Sequence, residues 1–217
     1  IIPDTLDKYI NDKTGYIYIS NNFGQRLSLN NKFFHGIHII EDCTHSIKYE
    51  NINSEIVISF GATKPLSGGS GGAYISSKNL NKIAEDFYKL DARLNDFNIS
   101  ILLNQLNNLN KITKKRMKIH NKYTKFFEEY GIKFLENKNN DIPYRFVIKS
   151  SKGEILNIKK YLNSKKIRVE YPITPPSIIK EKISKTILSF PLYPDLSNTE
   201  LIKILNETRK VLKKNGS

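Results

Sequence analysis

Four short runs of β-branched and aromatic residues recur early in the chain, each bounded by polar or glycine punctuation, and they predict strands. They are Tyr16-Ile17-Tyr18-Ile19-Ser20, Ile37-His38-Ile39-Ile40, Ile56-Val57-Ile58-Ser59-Phe60 before Gly61, and Gly72-Ala73-Tyr74-Ile75-Ser76 behind a glycine cluster. The first two have the composition of buried parallel strands. Helical stretches such as 78–89 fall between or after the runs, and the alternation predicts an α/β layer.

From about residue 97 the period changes. Ile99, Leu102, Leu103, Leu106, Leu109, Ile112, Tyr123 and Phe127 lie mostly three or four residues apart, which predicts one long amphipathic helix, broken or bent near the lysine-rich stretch 111–118. A strand over 144–149, a helix over 153–163, a strand over 167–171 and a last helix over 197–213 then describe a smaller α+β unit. Pro172, Pro175 and Pro176 mark an irregular connection inside it. The expected division is 1–97 for the α/β part and 98–217 for the long helix with the small domain.

The 217 residues suffice for one large domain or two small ones, and 39% apolar content with 11% aromatics excludes a disordered or fibrous chain. The net charge of +14 is lopsided: residues 1–110 hold 10 basic against 11 acidic groups, and 111–217 hold 25 against 10. Such asymmetry can signal an acidic ligand or nucleic acid. Here 29 of the 35 basic residues are lysine beside 24 asparagines, a pattern that AT-rich coding also produces. A single cysteine, Cys43, excludes an internal disulfide framework and multi-cysteine zinc patterns, and it suits a reducing cytoplasm. No run approaches the roughly 18 apolar residues of a membrane span. The chain opens on Ile1-Ile2-Pro3 with no visible signal peptide, and it reads as a piece of something longer.

Two segments could carry chemistry. Glu41-Asp42 directly follows a predicted strand, where α/β sheets place functional side chains; an aspartate there can face a cationic ring nitrogen or cap a helix. The second runs from Ser59 to Gly72 and holds five of the eleven glycines. It is no P-loop, because Lys64 precedes the glycines and Pro65 follows it. A lysine on such a loop is ordinarily solvated; held among apolar neighbours it becomes an amine nucleophile able to form a Schiff base. His35, His38 and His120 have no metal-ligand spacing, so no metal is expected. The lysine-rich helix around 114–127 carries its aromatics at core-like spacing, which argues against nucleic acid.

At these segments the chain resembles the DegT-type sugar aminotransferases, which are fold-type I pyridoxal-phosphate enzymes. The matching residues are Glu41-Asp42-Cys43-Thr44-His45, then Ser59-Phe60, Thr63-Lys64 and Gly71-Gly72-Ala73. Arg93-Leu94-Asn95-Asp96 with Gln105-Leu106, Lys166-Ile167-Arg168-Val169 with Tyr171-Pro172, and Leu188 through Pro194 continue the likeness downstream.

The resemblance implies a fragment of the three-layer large domain of that fold, followed by an α+β small domain. It implies pyridoxal 5'-phosphate as cofactor, with Lys64 as the catalytic Schiff-base lysine and proton shuttle. Asp42 would pair with the pyridinium nitrogen, His45 would approach the ring or its phenolic oxygen, and Ser59 would donate to the phosphate. The implied substrates are glutamate and a nucleotide-linked keto-sugar of polysaccharide biosynthesis, and the implied assembly is a cytoplasmic homodimer with a shared active site. Arg93, Arg168 or the lysine-rich second half would neutralise the sugar's diphosphate. Two departures stand out: Asp91 occupies the place of an asparagine that reaches a phosphate across the subunit boundary, and Asn21 stands near a usual histidine. The first third of the family's length, with its phosphate-cradling turn, is expected to be missing, so this piece alone is expected to be inactive. A sugar dehydratase would carry histidine in place of Lys64. The remaining alternative is a truncated or degenerate homologue without catalysis, acting as an interaction protein.

Overall fold

A computed structural model describes residues 6, 8–27, 36–47, 54–78, 85–86, 94–137, 141–172 and 185–215. The chain divides into two compact units, Ile1–Leu109 with Lys138–Ile142, and Asn110–Asn137 with Pro143–Ser217.

The first unit is built on a four-stranded sheet of order β1-β2-β3-β4. Its strands are β1 (Tyr16–Ser20), β2 (His38–Asp42), β3 (Glu55–Ser59) and β4 (Gly72–Ile75). β1, β2 and β3 run parallel, and β4 returns antiparallel on β3. Glu41 and Asp42 are therefore the last two residues of β2 rather than the residues after it. The expectation of strands buried on both faces is also corrected. Side chains alternate across a strand: Ile17 and Ile19 are buried, whereas Tyr16 and Tyr18 are each 64% exposed. The open face is polar and bonded within itself. Tyr16 stacks on His38, Tyr74 donates to Glu55, and Lys78 pairs with Glu55 at 2.5 Å. Asp141 joins this unit through the main-chain N–H of Arg26 at 3.0 Å and a buried ion pair with the same residue. Of the helix expected over 78–89, Glu85 and Asp86 are helical, Lys78 is not, and the other positions lie outside the described residues.

The expected long helix is two, α1 (Asp96–Asn107) and α2 (Leu109–Glu129). The break falls at Asn108, ahead of the lysine-rich stretch. Its side-chain amide donates to the Asn104 carbonyl at 2.9 Å and competes with the helical backbone, as asparagine commonly does. Leu102 is the buried residue of α1, packed with Phe60 and Leu66, while Phe97, Leu103 and Leu106 face outward.

The second unit pairs β5 (Lys133–Phe134), β6 (Phe146–Lys149) and β7 (Ile187–Phe190) into an antiparallel sheet with α3 (Lys152–Ser164) and α4 (Asn198–Asn215). The apolar stripe of α2, Ile119, Tyr123, Phe126 and Phe127, follows helical spacing and enters this core. Phe146 sits at its centre, with ring centroids 5.0 Å from Tyr123 and 5.5 Å from Phe127. Ser197 and Glu200 form a reciprocal capping box that starts α4. The strand expected over 167–171 is reduced to a single bridge between Glu170 and Ser189. Ile167 and Val169 are buried as a strand's inner face would be. The backbone there is instead engaged with the end of α3, where Ile167 N–H donates to Leu162 and Val169 N–H to Asn163.

Candidate active site at the ends of β2 and β3

β2 ends on Asp42 and β3 ends on Ser59, and the two strands are parallel with Asp42 opposite Val57. Because side chains alternate, Asp42, Val57 and Ser59 share the open face of the sheet, and Glu41, Ile56 and Ile58 share the other. The carboxyl ends of parallel strands are where such sheets bind ligands.

Asp42 is held by two neighbours. Its Oδ2 accepts the Tyr18 hydroxyl at 2.5 Å, and its Oδ1 accepts the Thr44 N–H at 2.9 Å. Burial by itself would raise this carboxyl. The hydrogen bonds from Tyr18 and Thr44, with the charge of His45, outweigh it and hold the group below its ordinary range. The Tyr18 phenol is pushed up to about 12 by burial and by its bond to Asp42. His45 is half-buried and its ring stacks on Phe23, with centroids 6.0 Å apart. Phe23 takes φ 60 and Gly24 φ 92, a left-handed pair that reverses the chain just after β1.

Behind Asp42, on the closed face, Glu41 is fully buried. It accepts from Asn21 Nδ2 at 3.0 Å and from Ser54 Oγ at 2.8 Å. Asn21 Nδ2 also donates to Cys43 Sγ at 3.3 Å, and Asn21 N–H donates to the Asp42 carbonyl at 3.0 Å. One amide side chain thus ties the residues on both sides of Asp42 to the end of β1. Burial pushes the Cys43 thiol up to about 11, which removes it as a nucleophile at neutral pH.

Lys64 stands on the turn that follows β3, where its N–H donates to the Gly61 carbonyl at 2.9 Å. It is half-buried. Ser59 Oγ accepts the Gly61 N–H at 3.3 Å. A Cβ placed on Gly61 would lie 3.6 Å from Ser59 Oγ and 3.7 Å from Lys64 Cγ, so the two side chains flank one point. The glycine loop is held from α1: Asn98 Nδ2 donates to the Gly68 carbonyl and Gln105 Oε1 accepts the Ser67 N–H at 2.9 Å. A side chain at Gly72 would meet the Ile58 carbonyl at 2.5 Å, which is why glycine stands where β4 returns along β3.

The four candidate residues therefore lie on two adjacent strand ends and the turns after them, Asp42 and His45 at β2, Ser59 and Lys64 at β3. Asp91 and Arg93 fall outside the described residues. Arg168 is exposed and pairs with Glu170 at 2.8 Å. His38 faces Tyr16 and Lys78, and His120 packs edge-on against Phe146 in the second unit. The contact between Tyr18 and Asp42 is not legible in the sequence; only the strand register brings the two together. Among the described residues no helix is long and apolar enough to cross a membrane.

No curated protein matches the chain in sequence. Among solved structures it is similar to PseC of Helicobacter pylori, an aminotransferase involved in the biosynthesis of pseudoaminic acid. That match has 18% identity and a TM-score of 0.82, over 99% of this chain and 71% of that one. NtdA of Bacillus subtilis with bound pyridoxamine phosphate matches at 18% identity and a TM-score of 0.81, over 98% and 60%. A DegT/DnrJ/EryC1/StrS aminotransferase of Brucella abortus matches at 21% and 0.74, over 96% and 67%. These likenesses span both sheets and show the fold of the aminotransferases, an α/β large-domain portion followed by an α+β small domain. Residues 78–209 match the family's own sequence pattern. The chain belongs to the DegT/DnrJ/EryC1/StrS aminotransferase family.

Proposed function

We propose that this chain carries the cofactor-bonding part of a pyridoxal-phosphate-dependent aminotransferase that moves an amino group from glutamate to a nucleotide-linked keto-sugar. The observation behind this reading is the shared face of Asp42 and Ser59, with Lys64 beside Ser59. NtdA, which has the same fold, holds pyridoxamine phosphate.

The residues present fit the cofactor. Asp42, held in its charged form by its neighbours, suits a protonated pyridine nitrogen. The Ser59 hydroxyl suits a phosphate oxygen, and the Lys64 amine suits an aldehyde. When bound, pyridoxal phosphate supplies an electron sink for the carbon that bears the substrate amine. Asp42 keeps the ring nitrogen protonated, because a carboxylate beside a cation favours the charged pair. Lys64 would hold the cofactor through its ε-amine, and the same amine would carry the proton removed from that carbon to the cofactor's own carbon, so that the proton is transferred rather than returned. His45 borders the ring and Ser59 anchors the phosphate.

The assembly proposed is a cytoplasmic homodimer. Ile99, Leu103 and Leu106 share one side of α1 and leave an apolar stripe exposed there, a surface of the kind a second copy covers.

The test uses the intact protein mixed with pyridoxal phosphate. A long-wavelength absorbance band from the lysine-bonded cofactor is expected, and Lys64→Ala abolishes it. A band that survives this substitution rules Lys64 out. Incubation with glutamate and a nucleotide-linked keto-sugar then yields the amino-sugar product.

A further inference from the structure

Tyr18 belongs to none of the motifs that point to a cofactor. Its ring is 64% exposed on β1, yet its hydroxyl is committed to Asp42 Oδ2 at 2.5 Å. The register explains the reach. Tyr18 pairs with Ile40 and Ser20 with Asp42, so Tyr18 and Asp42 share a face and are offset by two residues along the strands. A phenol leaning along its strand covers that offset.

An exposed tyrosine held in one pose loses rotamer freedom, and a charge-assisted hydrogen bond is strong enough to offset that loss. The beneficiary is the carboxylate. Thr44 restrains Oδ1 from the chain side, and Tyr18 restrains Oδ2 from the neighbouring strand, so the carboxylate plane is set by two elements. The Thr44 hydroxyl supplies a third hydrogen bond, and a carboxylate has about four acceptor positions, which leaves room for one further donor.

We propose that Tyr18 is a positioning residue that orients the Asp42 carboxylate toward the protonated ring nitrogen of pyridoxal phosphate. This rests on the reading of Asp42 as the cofactor's partner. Other groups around Asp42 do not replace the contact. His45, on the turn after β2, acts on the carboxylate through its charge. Cys43 is a buried thiol on the other face. From β3 the facing residues are Val57 and Ser59, both uncharged, and Glu41 points to the closed side. Without the Tyr18 hydroxyl, burial is opposed by Thr44 and His45 alone, so Asp42 protonates at a higher pH.

The test compares the intact protein with its Tyr18→Phe, Asp42→Asn and Tyr16→Phe variants, each checked for unchanged circular dichroism. Without cofactor, the wild-type minus Tyr18→Phe difference in phenolate absorbance isolates Tyr18. It is expected to titrate near 12 and to fall toward the ordinary value of about 10 when Asp42 is Asn. With cofactor, the pyridoxal-phosphate dissociation constant is measured from pH 4 to 8. Tyr18→Phe is expected to move the acid edge of binding upward and to weaken binding roughly threefold to tenfold at neutral pH. Tyr16→Phe, two residues away on the same face, leaves the edge in place. If Asp42→Asn leaves affinity and edge untouched, the cofactor reading fails and the proposal falls with it. If Asp42→Asn removes the edge while Tyr18→Phe leaves it unmoved, or if Tyr16→Phe moves it equally, the reading stands and the proposal alone is overturned.

Discussion

Ser59 Oγ and Lys64 Cγ stand 3.6 and 3.7 Å from a single point, the place a Cβ would take on Gly61. Both separations are ordinary van der Waals contacts, so a methyl group fits without displacing backbone. Gly61→Ala is therefore expected to fold, with an unfolding midpoint within a few degrees of wild type. The methyl occupies the space between the Ser59 hydroxyl and the stem of the Lys64 side chain, and pyridoxal-phosphate affinity should fall. Thermal unfolding and cofactor titration measure the two effects separately; a loss of fold with no separate loss of affinity would contradict this picture.

The contact between Tyr18 and Asp42 makes stability depend on pH in two directions. The Tyr18 phenol titrates higher in the folded chain, at about 12, than in the unfolded one. Its contribution is full below about pH 10 and is lost as pH rises through the folded value. Asp42 titrates lower when folded. Its contribution is present above about pH 4 and is lost as pH falls. The stability difference between wild type and Tyr18→Phe should be largest between these limits and shrink toward either end, as urea unfolding at pH 3, 7 and 11.5 would show.

Lys166 takes φ 60 just past α3, where its N–H donates to Asn163 and the next N–H reaches back to Leu162. This is a helix stop of the Schellman type, a position that favours glycine. A side chain in the left-handed region costs on the order of 1 kcal/mol. Lys166→Gly should raise stability by roughly 0.5–1 kcal/mol, since glycine's greater unfolded-state entropy takes back part of the gain. The readout is a higher urea midpoint with an unchanged slope.

Phe146 is fully buried among Tyr123, Phe127, Phe134 and His120. Phe146→Ala should cost about 3–5 kcal/mol, because four ring neighbours cannot all close on the cavity. Phe146→Leu, which keeps most of the volume, should cost clearly less. Equal losses for the two substitutions would place the cost in something other than packing.

Local sequence was enough to locate the four strands of the first sheet, the glycine loop, and an aspartate at the end of one strand with a lysine on the turn after another. Strand composition and glycine punctuation act over a few neighbouring residues, so they can be read from the chain alone. The same is true of the stripe that carries Tyr123 and Phe127 into the second core, whose helical spacing is a property of α2 itself. Other features needed the folded chain. Tyr18 meets Asp42, Glu41 turns to the closed face, and Glu170 makes only one bridge, because each depends on which residue of one strand lies opposite which residue of another. Register is decided by packing across segments far apart in sequence, and a shift of one residue would reverse every face. The chain's own order of residues therefore set which groups the site could contain, and the pairing of β1, β2 and β3 decided which of them could touch.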